Sequence, residues 1–297
     1  MKPLCTLFAV LLLGAPVSSA LAAGTLDSIR ASQTLRVGVR DSSVPFAYRL
    51  PNGEVVGYSV DICQKIVERL AKDKAIPGLK MVKVPVNAAE RIPKLLSQQV
   101  DLECGSSTLT RERLLHVDFS YPIFFSYMKI LSPRKIGVRG LADLKGRRVA
   151  VTAGSSGETE IRQWNSSKAL GIAAIQVFPQ QSESFAQLVQ GRVDAFVTDD
   201  VILYGLRATL PDPDSYVVSD EKLTVEPVAL MLRKNDVAFR AEVNAALKSL
   251  MSSGEIRQIY RKWFELPIPP SGKALRLPSS ILLNETIRFP MDVPPAY

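Results

Sequence analysis

The chain has 297 residues, 46% hydrophobic and 22% charged, which suits one large or two medium globular domains and excludes a disordered or collagen-like chain. Its net charge of +8 at pH 7 favours anionic partners in a general way. The basic residues never run beyond pairs such as Arg147-Arg148 and carry no interleaved aromatics, so nucleic acid is not an expected partner.

Lys2 is the only charged residue before Asp27. An apolar run at 4–13 and the small-residue triplet Ala20-Leu21-Ala22 follow it. A basic start, a short apolar core and an A-x-A site predict a secretory signal peptide over 1–22, cleaved to leave a soluble periplasmic protein. The run is shorter than the about 20 residues a membrane span needs. Cys5 lies ahead of the apolar core, so no lipid anchor is expected there. Cys63 and Cys104 remain after cleavage, in an oxidising compartment, and their pairing stays open between a bridge and two buried thiols. One histidine, His116, and two unclustered cysteines give no expectation of a metal site.

From there short β-branched runs alternate with amphipathic stretches. Residues 35–39 predict a strand. Residues 58–70 predict a helix, with Val60, Ile62, Cys63, Ile66, Val67 and Leu70 on one stripe. A strand at 80–84 precedes a helix at 87–97, with Asn87 as N-cap and Glu90 at capping-box spacing. Residues 102–104 predict a strand, with Ser106-Ser107-Thr108 as the loop after it. The pattern restarts after Pro133: strands at 148–151, 175–178 and 195–197 enclose helices starting near Gly157 and at Ser182. Two segments echo one another, 95–101 and 188–194; in each a helix ends and a short buried strand begins. A strand at 228–232, a helix from Asn235 or Asp236 to Leu250 and a helix at 255–264 complete the order. A proline-rich tail from Leu275 is expected to wrap the surface. This βαβα order implies an α/β fold with a mostly parallel sheet and two similar lobes.

Several stretches together resemble the periplasmic solute-binding proteins of polar amino acid ABC importers. Val44-Pro45-Phe46 resembles that family's ligand loop, and Gly57-Tyr58-Ser59-Val60-Asp61 its helix start. Asp118-Phe119-Ser120-Tyr121-Pro122 resembles its DFSxP turn, and Asp143-Leu144-Lys145-Gly146 the start of its second lobe. Arg40 to Phe46, Arg91-Ile92-Pro93, Glu103-Cys104-Gly105-Ser106 and Lys262-Trp263-Phe264 are most similar to the glutamate/aspartate-binding members. The resemblance implies a two-lobed type II periplasmic binding fold with two hinge crossings, near 129–133 and 226–229, and a cleft between the lobes. Lobe 1 would hold 23–131 and 227–297, and lobe 2 would hold 132–226. It also implies a monomer whose partners are a small acidic amino acid and a membrane permease.

An amino acid presents an ammonium, an α-carboxylate and a side chain, and a dry cleft must satisfy all three. The resemblance places Arg113, with Ser106 and Thr108, on the α-carboxylate. Ser155 and Ser156 would close from the second lobe with free backbone N–H groups, and Asp199 would take the ammonium. Asp200 is expected to cap the next helix. Arg40 and Arg91 fall where the family reads the side chain, and two converging arginines call for an anion between them. The chain departs from the glutamate/aspartate pattern at Ala88, where a serine is expected, and at Gln181, where a histidine is expected. Those departures leave glutamine, asparagine or another polar amino acid as the alternative ligand. No catalytic set and no cofactor is expected, and a periplasmic enzyme of the same fold, such as a dehydratase, is the rival reading.

Overall fold

A computed structural model describes residues 24–296; the leader and cleavage site expected at 1–22 lie outside the described residues. Among them no helix is long and apolar enough to cross a membrane. The α/β order expected from the sequence organises two half-sheets. In one, Thr34–Val39 pairs in parallel with Lys80–Pro85 and with Leu102–Glu103. In the other, Arg148–Thr152 pairs in parallel with Ala174–Phe178 and with Ala195–Asp199.

One strand belongs to both. Val117–Pro133 runs for 17 residues. Val117 to Tyr127 lie antiparallel to Val225–Arg233, and Met128 to Leu131 lie antiparallel to Ala195–Asp199. The resemblance makes Asp118 to Pro122 a turn. The structure keeps the strand through it: the register with Val225–Arg233 slips on either side of Ala229, which sits opposite Pro122. A bulge is where a strand accommodates proline.

The two echoing segments adopt one backbone design. Gln98 and Gly191 hold matching left-handed positions, φ 59° and 70°. Gln99 N donates to Lys94 O and Arg192 N to Gln187 O, both at 2.9 Å. Each segment ends on an aspartate that binds the start of the neighbouring strand. Asp101 accepts from Arg36 N, Nε and Nη2 at 3.0, 2.9 and 2.7 Å, and Asp194 from the same atoms of Arg148 at 2.8, 3.2 and 2.8 Å. The repeat is therefore a shared way of ending a helix and starting a strand, with a carboxylate satisfying an otherwise free backbone donor.

The predicted stripe on Tyr58–Asp73 is buried along its length. Asp61, near the helix start, accepts from Lys262 Nζ and Trp263 Nε1, each at 2.7 Å, tying the helix to the distant Lys262-Trp263-Phe264 stretch. Beneath it Phe46, Tyr58, Phe124, Tyr260 and Phe264 form one aromatic cluster, with the Tyr260 and Phe264 centroids 4.5 Å apart. Three element starts differ from expectation. The Asn87–Glu90 box exists, with Asn87 Oδ1 accepting from Glu90 N at 2.8 Å and Asn87 N donating to Glu90 Oε2 at 3.3 Å. It closes a turn, and the helix proper is Arg91–Leu96. Gln180, not Ser182, is the N-cap of Gln181–Val189. The proline-rich tail holds a helix, Ile281–Arg288, capped by Ser280 through Leu283 N at 3.1 Å.

Cys63, inside Tyr58–Asp73, and Cys104, just past Leu102–Glu103, are both fully buried and joined as a disulfide with a Cα–Cα distance of 6.5 Å. The bridge pins the helix to the strand end from which the Gly105–Thr108 loop leaves. It closes a loop of 41 residues, which by chain entropy stabilises the fold by about 4 kcal/mol. The double variant Cys63→Ala/Cys104→Ala should therefore unfold at a clearly lower urea concentration than the oxidised protein. An unchanged midpoint would show that the bridge contributes nothing.

Candidate functional site

Parallel pairing brings strand carboxyl ends to common edges, where ligands of α/β proteins collect. Arg40 follows Thr34–Val39, and Ser106, Ser107 and Thr108 follow Leu102–Glu103. In the other half Gly154, Ser155 and Ser156 follow Arg148–Thr152, and Asp199 closes Ala195–Asp199. These two edges face each other and touch. Ser43 Oγ donates to Gln181 Oε1 at 2.7 Å. Arg91 Nη2 and Arg113 Nη2 both donate to Gly154 O at 3.3 Å. Gly154 has φ +69°, and a Cβ there would lie 2.8 Å from Ala89 Cα, so glycine alone permits the approach. Ala88, standing where a serine was expected, packs against the same glycine through its carbonyl.

The crossing strands hold both edges. Leu109 N donates to Pro227 O at 2.8 Å and Ala229 N to Ser107 O at 3.0 Å, fixing the 106–108 loop to Val225–Arg233. On the other side Asp200 Oδ1 accepts from Ser126 Oγ at 2.7 Å and Tyr127 N at 3.2 Å. Asp200 is the first residue of Asp200–Ala208, and Asp199 is its N-cap residue without a side-chain cap bond. Asp200 Oδ1 also accepts from Val201 N at 2.7 Å, so the expected contact with the helix start is present and is joined to an anchor on Val117–Pro133.

Three arginines meet in this cleft. Arg113 Nη1 donates to Thr108 O at 2.8 Å, and Thr110 Oγ1 accepts from Arg113 N at 3.2 Å, starting the short helix that carries the arginine. Arg40 and Arg91 are 1% and 3% exposed. Neither is taken by its neighbouring acid: Asp41 pairs with Arg49 at 2.8 Å and Glu90 with Lys94 at 3.1 Å. Arg91 Nη1 donates to Ser107 Oγ at 2.8 Å. Among the described residues Arg40 Nε, Arg40 Nη2 and Arg91 Nε are buried with no hydrogen-bond partner. Burial lowers the pKa of both guanidiniums, that of Arg91 well below its ordinary value; Arg113 lowers both further, and Glu103 opposes the shift. Such burial disfavours the charged form unless a counter-charge faces it.

Opposite stands Asp199, 6% exposed, its Oδ1 buried without a partner among the described residues. Burial pushes its carboxyl well above the usual carboxylate range, Glu226 and Asp200 add to this, and Arg113 and Arg91 pull it back. The cleft therefore holds unpaired donors on one wall and an unpaired acceptor on the other. Of the remaining candidates, Ser106, Thr108 and Ser156 are buried at the cleft edges. Ser155 is occupied, accepting from Glu158 N and donating to Thr152 O. Gln181 opens its helix and meets Ser43. Sequence reasoning gave no role to Ser43, Glu103 or Ser107. Glu103 is fully buried and accepts from Ser107 Oγ at 2.6 Å; the signal for it was an acid between Leu102 and Cys104 in an otherwise apolar strand.

Known proteins are similar to the chain over most of its length. Residues 35–266 match the model of the bacterial extracellular solute-binding proteins, family 3. The chain is 39% identical to an L-glutamate/L-aspartate-binding protein of Pseudomonas aeruginosa, over 97% of this chain and 96% of that one. It is 34% identical to a glutamate/aspartate import solute-binding protein of Salmonella typhimurium, over 94% and 91%. Among solved structures it is similar to an ancestral arginine-binding protein bound to arginine, with a TM-score of 0.70 and 32% identity, over 78% of this chain and 98% of that one. The chain belongs to the bacterial extracellular solute-binding proteins, family 3.

Proposed function

We propose that this chain is the periplasmic solute-binding component of an amino acid ABC importer, that it encloses L-glutamate or L-aspartate between its two edges, and that it delivers the ligand to a permease without chemical turnover. The observation that carries this reading is the set of buried, unpaired polar atoms: Arg40 Nε, Arg40 Nη2 and Arg91 Nε on one wall, Asp199 Oδ1 on the other. Buried charges of this kind are stable only when paired. An α-amino acid with a second carboxylate supplies an ammonium for Asp199, an α-carboxylate for Arg113 with Ser106, Thr108 and Ser156, and a side-chain carboxylate for Arg40 and Arg91. The names of the relatives from Pseudomonas aeruginosa and Salmonella typhimurium support the same ligand class.

A neutral amide side chain would leave the two guanidiniums without a counter-charge from the ligand. Losing a charge-assisted hydrogen bond costs about 1.5–3 kcal/mol, or about ten- to a hundredfold in affinity. Calorimetric titration of ligand-stripped protein should therefore give glutamate at least about tenfold tighter binding than glutamine. Equal affinities would remove the acidic-ligand assignment. Arg91→Ala should weaken glutamate far more than glutamine, whereas Arg113→Ala, which removes the α-carboxylate partner common to both, should abolish both.

The moving parts in this reading are a first lobe, residues up to about 127 and from about 225, and a second lobe between them. The groups that would hold the ligand are split across those lobes, so binding and closure are one event. X-ray scattering should show a smaller radius of gyration at saturating glutamate than in ligand-stripped protein. An unchanged radius would rule out hinge closure.

A further inference from the structure

Glu103 is fully buried, and its negative charge acts on both Arg40 and Arg91, opposing the lowering of their pKa by burial. Its environment is tightly built. Oε2 accepts from Ser107 Oγ at 2.6 Å, and Ser107 Oγ accepts in turn from Arg91 Nη1 at 2.8 Å. A serine hydroxyl has one hydrogen; given to Glu103, it leaves only lone pairs for the arginine. The planar guanidinium of Arg91 is then held at Nη1 by Ser107 and at Nη2 by Gly154 O, which fixes the direction of its unpartnered Nε–H. Glu103 Oε1 is likewise buried and has no hydrogen-bond partner among the described residues. A Cβ at Gly105 would stand 2.2 Å from that oxygen and 2.8 Å from Arg40 Cγ. Glu103 Oε1 and Arg40 Cγ thus both crowd the space that a Cβ at 105 would take, and glycine there leaves room for them.

We propose that Glu103 is the positioning residue of the side-chain end of the cleft: acting through Ser107 it orients Arg91, and its charge offsets one of the two guanidiniums, so that this end matches a single negative charge. The proposal rests on the acidic-ligand reading above and refines it. Two guanidiniums against one internal carboxylate leave one positive charge, which suits a side-chain carboxylate. A dianionic side chain of the same length would bring one charge too many. Replacing Glu103 by glutamine removes that charge at nearly constant shape. The new amide can also donate to Ser107, turning the hydroxyl hydrogen towards Arg91, where two donors would face each other.

The test uses the full mature protein, stripped of ligand, titrated at pH 8 with L-glutamate, L-glutamine and L-2-amino-4-phosphonobutanoate, whose phosphonate is dianionic at that pH. In Glu103→Gln the affinity ratio of phosphonate to glutamate should rise by about tenfold or more over wild type, the size expected for one unit charge in a buried site. Ser107→Ala keeps the charge and removes the relay: that ratio should stay as in wild type, while glutamate weakens about tenfold more than glutamine. A structural role alone would lower all three ligands together. An unchanged phosphonate ratio in folded Glu103→Gln, or equal losses for glutamate and glutamine in Ser107→Ala, overturns the proposal. If Glu103→Gln does not fold, Ser107→Ala decides by itself. If wild-type protein fails to prefer glutamate to glutamine, the acidic-ligand reading has failed. If wild type prefers glutamate and the variants behave alike, only the role of Glu103 has.

Discussion

Placing two guanidiniums almost wholly out of water is the constraint on which the cleft depends. Arg40 and Arg91 are among the most deeply buried charged side chains of the described chain, and the desolvation of such a group costs several kcal/mol before any partner is counted. The fold meets part of that cost internally, through Glu103, Ser107 and the Gly154 carbonyl. The remainder is left as directed, unpaired N–H groups. A surface arginine would impose none of this. Arg49, half exposed and paired with Asp41, needs no such arrangement and specifies nothing.

That constraint explains where rigidity is spent. The disulfide ties Tyr58–Asp73 to the strand end before Gly105, and Ser59 Oγ donates to Gly105 O at 2.7 Å. The 106–108 loop is bonded to Val225–Arg233, and the Asp199–Asp200 corner is bonded to Val117–Pro133 through Ser126 and Tyr127. One wall of the cleft is thus fastened to Val225–Arg233 and the other to Val117–Pro133, two strands that pair with each other. In the proposed hinge closure, a rotation about those strands would move the walls as units and leave the geometry within each wall intact, which is what a site split between two bodies requires.

Local pattern made most of the elements legible. The Tyr58–Asp73 stripe, the parallel strands and the helix–strand echo all follow from periodicity, and the structure adds the aspartate contacts that make the echo a repeated design. Chain order alone could not reveal the Val117–Pro133 strand, because Pro122 breaks a local strand pattern and only the register slip in a partner about a hundred residues away, counted in sequence, accommodates it. The Ile281–Arg288 helix was hidden for a similar reason: its prolines flank the helix and do not interrupt it. At the cleft the arginines and Asp199 could be singled out, since the resemblance carries the family's ligand-binding positions onto them. Ser43, Ser107 and Glu103 could not, because what matters about them is who they face. Ser43 meets a glutamine 138 positions away, and Glu103 acts on arginines from two other elements. Pairing between elements distant in sequence leaves no periodicity in the chain.

The contacts that shut the cleft are modest by comparison with the charges it contains. Both arginine bonds to Gly154 O measure 3.3 Å, long for a charge-assisted bond, and they converge on one neutral carbonyl. The Ser43–Gln181 bond is a neutral pair, of the kind that contributes about 0.5–1.5 kcal/mol net. Closing forces of this size can be reversed by thermal motion. In the proposed reading, the strong terms in the cleft are the pairings of Arg40, Arg91, Arg113 and Asp199 with the ligand, a group that neither lobe provides. A binding protein must hold its ligand and later surrender it, and that requires the energy of closure to reside mainly in the ligand contacts. If the lobes gripped each other as tightly as the arginines can grip a carboxylate, closure would no longer report that the cleft is full, and reopening would no longer follow from the ligand's departure.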